Sequence, residues 1–258
     1  MEPLKVERRG NGVAVVTFTN PAKRNPMTAE LTERWADTMR ALRAAPDLRA
    51  VVVTGEGPAF CSGADLGELG GVGGVDLLAA RARLSDFYRT WLTVRDLPVP
   101  TIAAINGHAI GAGLALALAC DLRYVVPTAE LGVPFVQLGL HAGMATTALL
   151  SEAVGMQRAR ELLFTGRLVG GADAVDLGIA LAADESVLDT ALHTADRIAA
   201  AAPIAVRLTK SALATGHATV EQALAWEALA QPVTTQTADF AEAIAARRDH
   251  RPARFLGR

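Results

Sequence analysis

Hydrophobic and polar positions alternate along this chain in two distinct rhythms. Val13-Ala-Val-Val-Thr-Phe18 is a short β-branched run closed by Asn20-Pro21, which predicts a strand followed by a turn. Thr28 is placed to cap a helix whose apolar face carries Leu31, Trp35, Met39 and Leu42, at i, i+4, i+8 and i+11. Ala50–Thr54 and Thr101–Ile105 are apolar throughout, the pattern of strands covered on both faces, and Leu122–Val126 reads as a further strand stopped by Pro127. Leu77–Val94 has a helical period with Arg81, Arg83, Asp86 and Arg89 on its polar side, and Leu114–Cys120 is a helix of small and apolar residues. Beyond Met144 the pattern is helical: Ala159–Phe164, Ala172–Leu177, Val187–Ala201, Ile204–Leu213, and Val220 onward to a basic tail, Arg247–Arg258. Strands alternating with helices predict parallel βαβ units and an α/β class. A core over residues 1–200 and a helical region over 201–258, acting as one continuous unit, are expected.

Composition narrows the picture. The chain has 258 residues, 51% of them hydrophobic and 20% charged, which excludes a disordered chain. Its 25 basic and 27 acidic side chains nearly cancel, so no basic footprint for nucleic acid is present. The start, MEPLKVERRG, lacks the apolar segment of a signal peptide. The longest apolar run, Ala109–Cys120, has 12 residues, against the roughly 20 that span a bilayer. A cytoplasmic protein without membrane or nucleic-acid partners is expected, and two cysteines, Cys61 and Cys120, fit a reducing compartment. The five histidines (108, 141, 193, 217, 250) show no ligand spacing and there is no C-x-x-C, so no metal is expected.

Two glycine-bearing segments carry the candidate chemistry. Gly111-Ala-Gly113 follows a strand and opens a helix, but Leu116 stands where a dinucleotide fingerprint needs its third glycine. Close helix–strand packing, or helix N-terminal N–H groups facing a ligand oxygen, remain as its readings. In Gly55-Glu-Gly-Pro-Ala-Phe-Cys-Ser-Gly-Ala-Asp-Leu66, small residues allow a ligand to approach the backbone; the plain alternative is a tight connection capped by Asp65.

Taken together, these segments resemble the signatures of the crotonase superfamily, the enoyl-CoA hydratase/isomerase group. Asn20–Met27 resembles its first coenzyme A-contacting turn, and Gly55–Leu66 its first signature. Pro98–Asp121 resembles the second. Phe164-Thr-Gly166, Ala172–Gly178 and the Arg251-Pro252…Phe255 tail are similar to its later elements, the tail with one residue more between Pro and Phe. The resemblance implies a crotonase-like (ClpP/crotonase) spiral of ββα units with a helical C-terminal trimerisation region, assembled as a homotrimer or hexamer. It implies an acyl-CoA substrate, with coenzyme A arriving as part of that substrate and no permanently bound cofactor. The thioester carbonyl would sit between the backbone N–H groups of Ala64 and Ala112, the latter with negative φ because its Cβ clashes otherwise. Lys23, Arg24, Ser62, Asp65, Leu66, Arg254 and Phe255 would contact the coenzyme A portion, the arginines and lysine through its phosphates.

The acid/base positions depart from the resemblance. The two glutamates expected of a hydratase fall at Ala115 and Phe135, and an aspartate used by some relatives falls at Gly143. None of these side chains transfers a proton. His141 stands near the lost second glutamate and is the candidate base. Asp86 and Tyr88 lie on the Leu77–Val94 helix and read as a solvated face or as polar site groups. His108 reads as structural, Cys61 as a buried filler, Asp65 and Asp121 as mainly structural, and Glu130 as solvated. Three functions are open: a hydratase/isomerase-type enzyme of fatty-acid metabolism, a thioester hydrolase or decarboxylase, and a non-catalytic acyl-CoA carrier.

Overall fold

The computed structural model describes residues 2–65, 67, 76–216 and 219–258. Leu66, His217 and most of the Gly-rich stretch after Asp65 lie outside the described residues.

The strongly apolar runs form one sheet. β1 (Leu4–Arg8), β2 (Val13–Phe18), β3 (Ala50–Gly55), β5 (Thr101–Ile105), β7 (Leu122–Val125) and β10 (Ala182–Ala183) lie side by side in that order. All neighbours are parallel except β1, which pairs antiparallel with β2 from Leu4↔Phe18 to Arg8↔Ala14. β3 and β5 are buried along nearly their whole length, as continuous apolar strands require. Three-residue strands make a second sheet, in the order β4 (Ala59–Cys61), β6 (His108–Ile110), β8 (Glu130–Gly132) and β9 (Leu168–Gly170). Each long strand turns sharply into a short one: β3 into β4, β5 into β6, β7 into β8. The chain therefore climbs as stacked ββα turns. Asn106 staples adjacent turns, accepting from Gly55 N (2.9 Å) and donating to the Gly57 carbonyl (2.9 Å). Gly107 permits the stacking, because a Cβ there would lie 2.1 Å from the Pro58 oxygen.

Helices fill the gaps. α1 (Ala29–Ala44) is capped by the Thr28 hydroxyl and buries Leu31, Trp35, Met39 and Leu42, as its period predicts. α2 (Leu77–Leu92) packs on α1 and continues as a 3₁₀ turn through Asp96, where the sequence predicts unbroken helix. Trp35 and Trp91 stack at 5.0 Å between ring centroids, with Phe18 and Phe60 edge-on to the cluster or tilted beside it. α3 (Ala112–Ala119) is buried on every side, which explains its small residues; it starts two residues earlier than its pattern suggests. α4 (Thr146–Val154), α5 (Met156–Thr165), α6 (Gly171–Leu177) and α7 (Val187–Ala199) follow, with α7 lying on β3, β5 and β7. α8 (Pro203–Thr215), α9 (Val220–Thr235) and α10 (Ala238–Arg248) complete the chain. Among the described residues no helix is long and apolar enough to cross a membrane.

Candidate active site

Three successive turns of the spiral meet at the start of α3, and a fourth segment packs under α2. The first is Arg24–Met27. Arg24 and Asn25 adopt left-handed backbone (φ 64° and 54°), and Asn25 is fully buried. Its side-chain amide donates to the carbonyls of Ala59 (2.8 Å) and Glu56 (3.0 Å), and its oxygen accepts from Asn20 N (2.9 Å). This side chain ties the first turn to the β3–β4 turn. The backbone completes the tie: Ser62 N donates to the Arg24 carbonyl (3.0 Å) and Met27 N to the Gly63 carbonyl (2.9 Å).

The second turn, Cys61–Asp65, lies directly on the start of α3. Gly63 has φ +92°, and a Cβ on it would stand 2.6 Å from the Ile110 oxygen and 3.2 Å from the Ala112 nitrogen. Gly113 is as tightly held: a Cβ there would lie 2.1 Å from the Cys61 oxygen. Only glycine gives this approach without moving backbone. Ala64 and Ala112 are thereby drawn to the same place. Ala112 is the first residue of α3, so its N–H has no acceptor within the helix. Neither the Ala64 nor the Ala112 N–H donates to any group among the described residues. Ala112 keeps negative φ, as its Cβ demands; Gly111 before it takes the left-handed turn instead (φ +57°).

The third turn closes from β8. Gly111 N donates to the Gly132 carbonyl (2.8 Å), and the Phe135 ring stands 3.7 Å from where a Gly111 Cβ would be. The fourth comes from the connection before α4. Gly143 lies under Tyr88 of α2, so that a Cβ on it would sit 2.5 Å from the Tyr88 hydroxyl oxygen. Met144 and Ala145, next along, are both left-handed (φ 52° and 54°), a conformation costing non-glycine residues on the order of 1–2 kcal/mol each.

Beside Ala64 a groove of about 330 Å³ runs between α1 and α2, lined by Met27, Thr32, Glu33, Asp65 and Phe87 among others. The expected contact residues divide around it. Lys23, Arg24, Ser62, Ala64 and Asp65 are drawn together by the turn contacts above, with Lys23 and Arg24 exposed. Asp65 also accepts from Gly67 N (2.8 Å). Arg254 and Phe255 are elsewhere. The Phe255 carbonyl accepts from Arg49 (3.1 Å), at the amino end of β3, whereas Lys23 and Arg24 follow the carboxyl end of β2. A six-residue strand separates those ends by about 20 Å, so within one chain the two groups do not meet. The tail is fixed there by the buried Asp239, which accepts from Leu256 N (2.7 Å) and Gly257 N (2.8 Å).

The positions at which the resemblance implies acid/base groups carry apolar residues or glycine. Ala115 is fully buried within α3. His141 is exposed, and its Nδ1 pairs with the Ala142 carbonyl at 2.7 Å. It does not line the groove. Cys61 is buried and burial pushes its thiol up to about 12, which fits a filler and removes it as a nucleophile. Asp121 is structural: it accepts from Thr101 N (2.7 Å) and Lys210 Nζ (2.7 Å). Among the described residues no group of three or more His, Cys, Asp or Glu is placed to hold a metal.

The sequence reading missed Asn25 as the residue that locks the first two turns. Its signal was present in the asparagine itself, a residue type enriched in left-handed backbone. It also left Tyr88 undecided, because only the fold brings it over Gly143.

Comparison with known proteins settles the lineage. The family model for enoyl-CoA hydratase/isomerase matches residues 8–258. The chain belongs to that family. It is 39% identical over 242 residues to a probable enoyl-CoA hydratase of Mycobacterium tuberculosis, covering 91% of this chain and 93% of that one. It is 33% identical over 262 residues to an enoyl-CoA isomerase/hydratase of Mycosarcoma maydis, covering 96% and 93%. The crystal structure of enoyl-CoA hydratase from Bacillus anthracis superposes with a TM-score of 0.93 at 31% identity, covering 99% of this chain and all of that one. The crotonase-like fold is thus shared along the full length.

Proposed function

We propose that this protein binds an acyl-CoA thioester, a 2-enoyl-CoA of fatty-acid metabolism, and stabilises enolate charge on its carbonyl oxygen. The observation carrying this reading is the pair of unpartnered amides, Ala64 N–H and Ala112 N–H, drawn together by the contact of Gly63 with the start of α3. Addition to the β-carbon, or proton loss from the α- or γ-carbon, moves negative charge onto that oxygen. Fixed donors stabilise it, and each is worth about 10²–10³ in rate. Lys23 and Arg24 are exposed beside the same turn and would meet the phosphates of coenzyme A, with Ser62 and Asp65 framing the approach.

A homotrimer, or a hexamer of two such rings, completes the reading. Two observations support it. Leu213, Leu224, Leu229, Val233 and Ile244 on the C-terminal helices are exposed. Arg254 and Phe255 would join Lys23 and Arg24 only across a contact between copies. Two free, buried cysteines fit residence in the cytoplasm.

A second reading, an acyl-CoA carrier without turnover, is favoured by Ala115 and by the Phe135 ring over Gly111, which replace acid/base groups by apolar surface. One experiment separates the two. The protein is incubated with enoyl-CoAs of short to long chain while product mass and binding heat are followed. Gain of one water above the uncatalysed control supports the enzyme; tight binding without mass change supports the carrier. No binding to any chain length would overturn both.

A further inference from the structure

We propose that the Tyr88 hydroxyl is the proton donor to the α-carbon of the substrate enolate, taking the place that carboxylates would hold at Ala115, Phe135 and Gly143. This deepens the reading of the site as an enolate-stabilising thioester site and rests on it. One connection of the chain links the oxyanion loop to Tyr88: it sets the Phe135 ring over Gly111 at one end and Gly143 under the Tyr88 phenol at the other. The absent side chain at residue 143 is what admits the phenol, since a Cβ would lie 2.5 Å from its oxygen and 2.8 Å from Cζ. On the other side Phe87, in ring contact with Tyr88 at 6.1 Å, lines the groove beside Ala64. The Tyr88 hydroxyl makes no hydrogen bond to any described residue, although the ring is packed against the core. A half-buried hydroxyl left without a partner among the described residues is available to a ligand. Strain is stored next to it, in the left-handed Met144 and Ala145.

Burial raises the Tyr88 pKa above its ordinary value, so the phenol holds its proton at neutral pH and acts first as donor. The charged residues nearest it in the chain are Asp86 and Arg89 on its own helix; Asp86 lines the groove beside Ala64 together with Arg83 and Glu33, His141 stands two residues before Gly143, and all five are exposed. For hydration the step balances as follows. The water oxygen bonds to the β-carbon, and the C=C electrons move onto the carbonyl oxygen between Ala64 and Ala112. The enolate then re-forms the carbonyl as the α-carbon takes the Tyr88 proton, and the phenolate recovers a proton from the water that added. No oxidant or further reactant is required.

The test compares the wild-type protein with Tyr88→Phe and with a more acidic fluorinated tyrosine incorporated at residue 88. Expected for Tyr88→Phe are a loss of about 10²-fold or more in kcat, a KM little changed, and an unaltered melting temperature and acyl-CoA affinity. The fluorinated residue keeps the ring's bulk and moves the alkaline limb of the kcat–pH profile to lower pH, a shift that a merely structural role does not produce. Turnover by Tyr88→Phe within about threefold of wild type would overturn the assignment, as would silencing by His141→Ala alone. If wild-type protein binds enoyl-CoA but catalyses neither hydration nor α-proton exchange with solvent, the enzymatic reading itself falls. That result is distinguishable from loss confined to the Tyr88 variants.

Discussion

Gly63→Ala is the sharpest perturbation of the arrangement around Ala64 and Ala112. Gly63 has φ +92°, so an alanine there incurs roughly 1–2 kcal/mol of backbone strain before any contact is counted. Its methyl would meet the Ile110 carbonyl oxygen at 2.6 Å and the Ala112 nitrogen at 3.2 Å. Both neighbours are backbone, held by β6 and α3, and neither can rotate aside as a side-chain end would. Overpacking of this kind costs about 1–3 kcal/mol, so the sum is about 2–5 kcal/mol of stability. The displacement also separates the two amides, and loss of one donor lowers turnover by about 10²–10³. Gly10→Ala is the matched control: nothing lies within 4 Å of its Cβ position and its φ is not positive. Urea unfolding followed by tryptophan fluorescence gives the first quantity, because Trp35 and Trp91 sit in the core. Steady-state turnover of an enoyl-CoA in dilute denaturant-free buffer gives the second. A Gly63→Ala protein as stable and as active as Gly10→Ala would refute the reasoning that this glycine positions the site.

Three further outcomes are expected. Asn25→Ala removes the partner of the part-buried Asn20 N–H and of the buried Ala59 carbonyl and takes away a residue suited to left-handed backbone, so urea unfolding should show a loss of about 2–4 kcal/mol. Cys61, with its thiol pushed up to about 12, should resist iodoacetamide at pH 8 in the native protein and react once urea unfolds it; native labelling would contradict its burial. Glu242 is held at about 2 by Arg251, below its ordinary 4.5, so its hold on the C-terminal tail is fully present above pH 4.5 and fades as pH falls toward 2. Protection factors of the tail amides, taken relative to the intrinsic exchange rate at each pH, should fall in wild type as pH drops through that window, and Glu242→Gln should show the lower protection already at pH 7.

How much of this was legible in the sequence follows from the length of each element. The β-branched runs at Val13, Ala50, Thr101 and Leu122 are long and apolar enough to declare themselves, and α1 carries four core positions in register. The second sheet was not legible, because Ala59–Cys61, His108–Ile110 and Glu130–Gly132 are three residues each, too short for a period. Polar β1, mostly exposed on an edge, escaped for the opposite reason: it has little apolar pattern to read. At the site, the glycines at 63, 111 and 113 pointed to close backbone approach, and the structure gives each a neighbour that explains it or a left-handed φ. The tail was harder. Its motif suggested contact with the ligand, whereas only the fold shows Phe255 at the amino end of β3, a strand's length from Lys23. Tyr88 and Gly143 are 55 residues apart and share no motif, so their apposition is a product of tertiary structure alone.

The central claim is that the two amides at Ala64 and Ala112 grip a thioester carbonyl. Infrared difference spectra of an acyl-CoA carrying ¹³C at its thioester carbonyl, free and bound, read that grip at the bond concerned. The account predicts a shift of the carbonyl stretch to lower frequency on binding, and a smaller shift with Gly63→Ala. Saturable binding with the carbonyl stretch left at its value in water would contradict it.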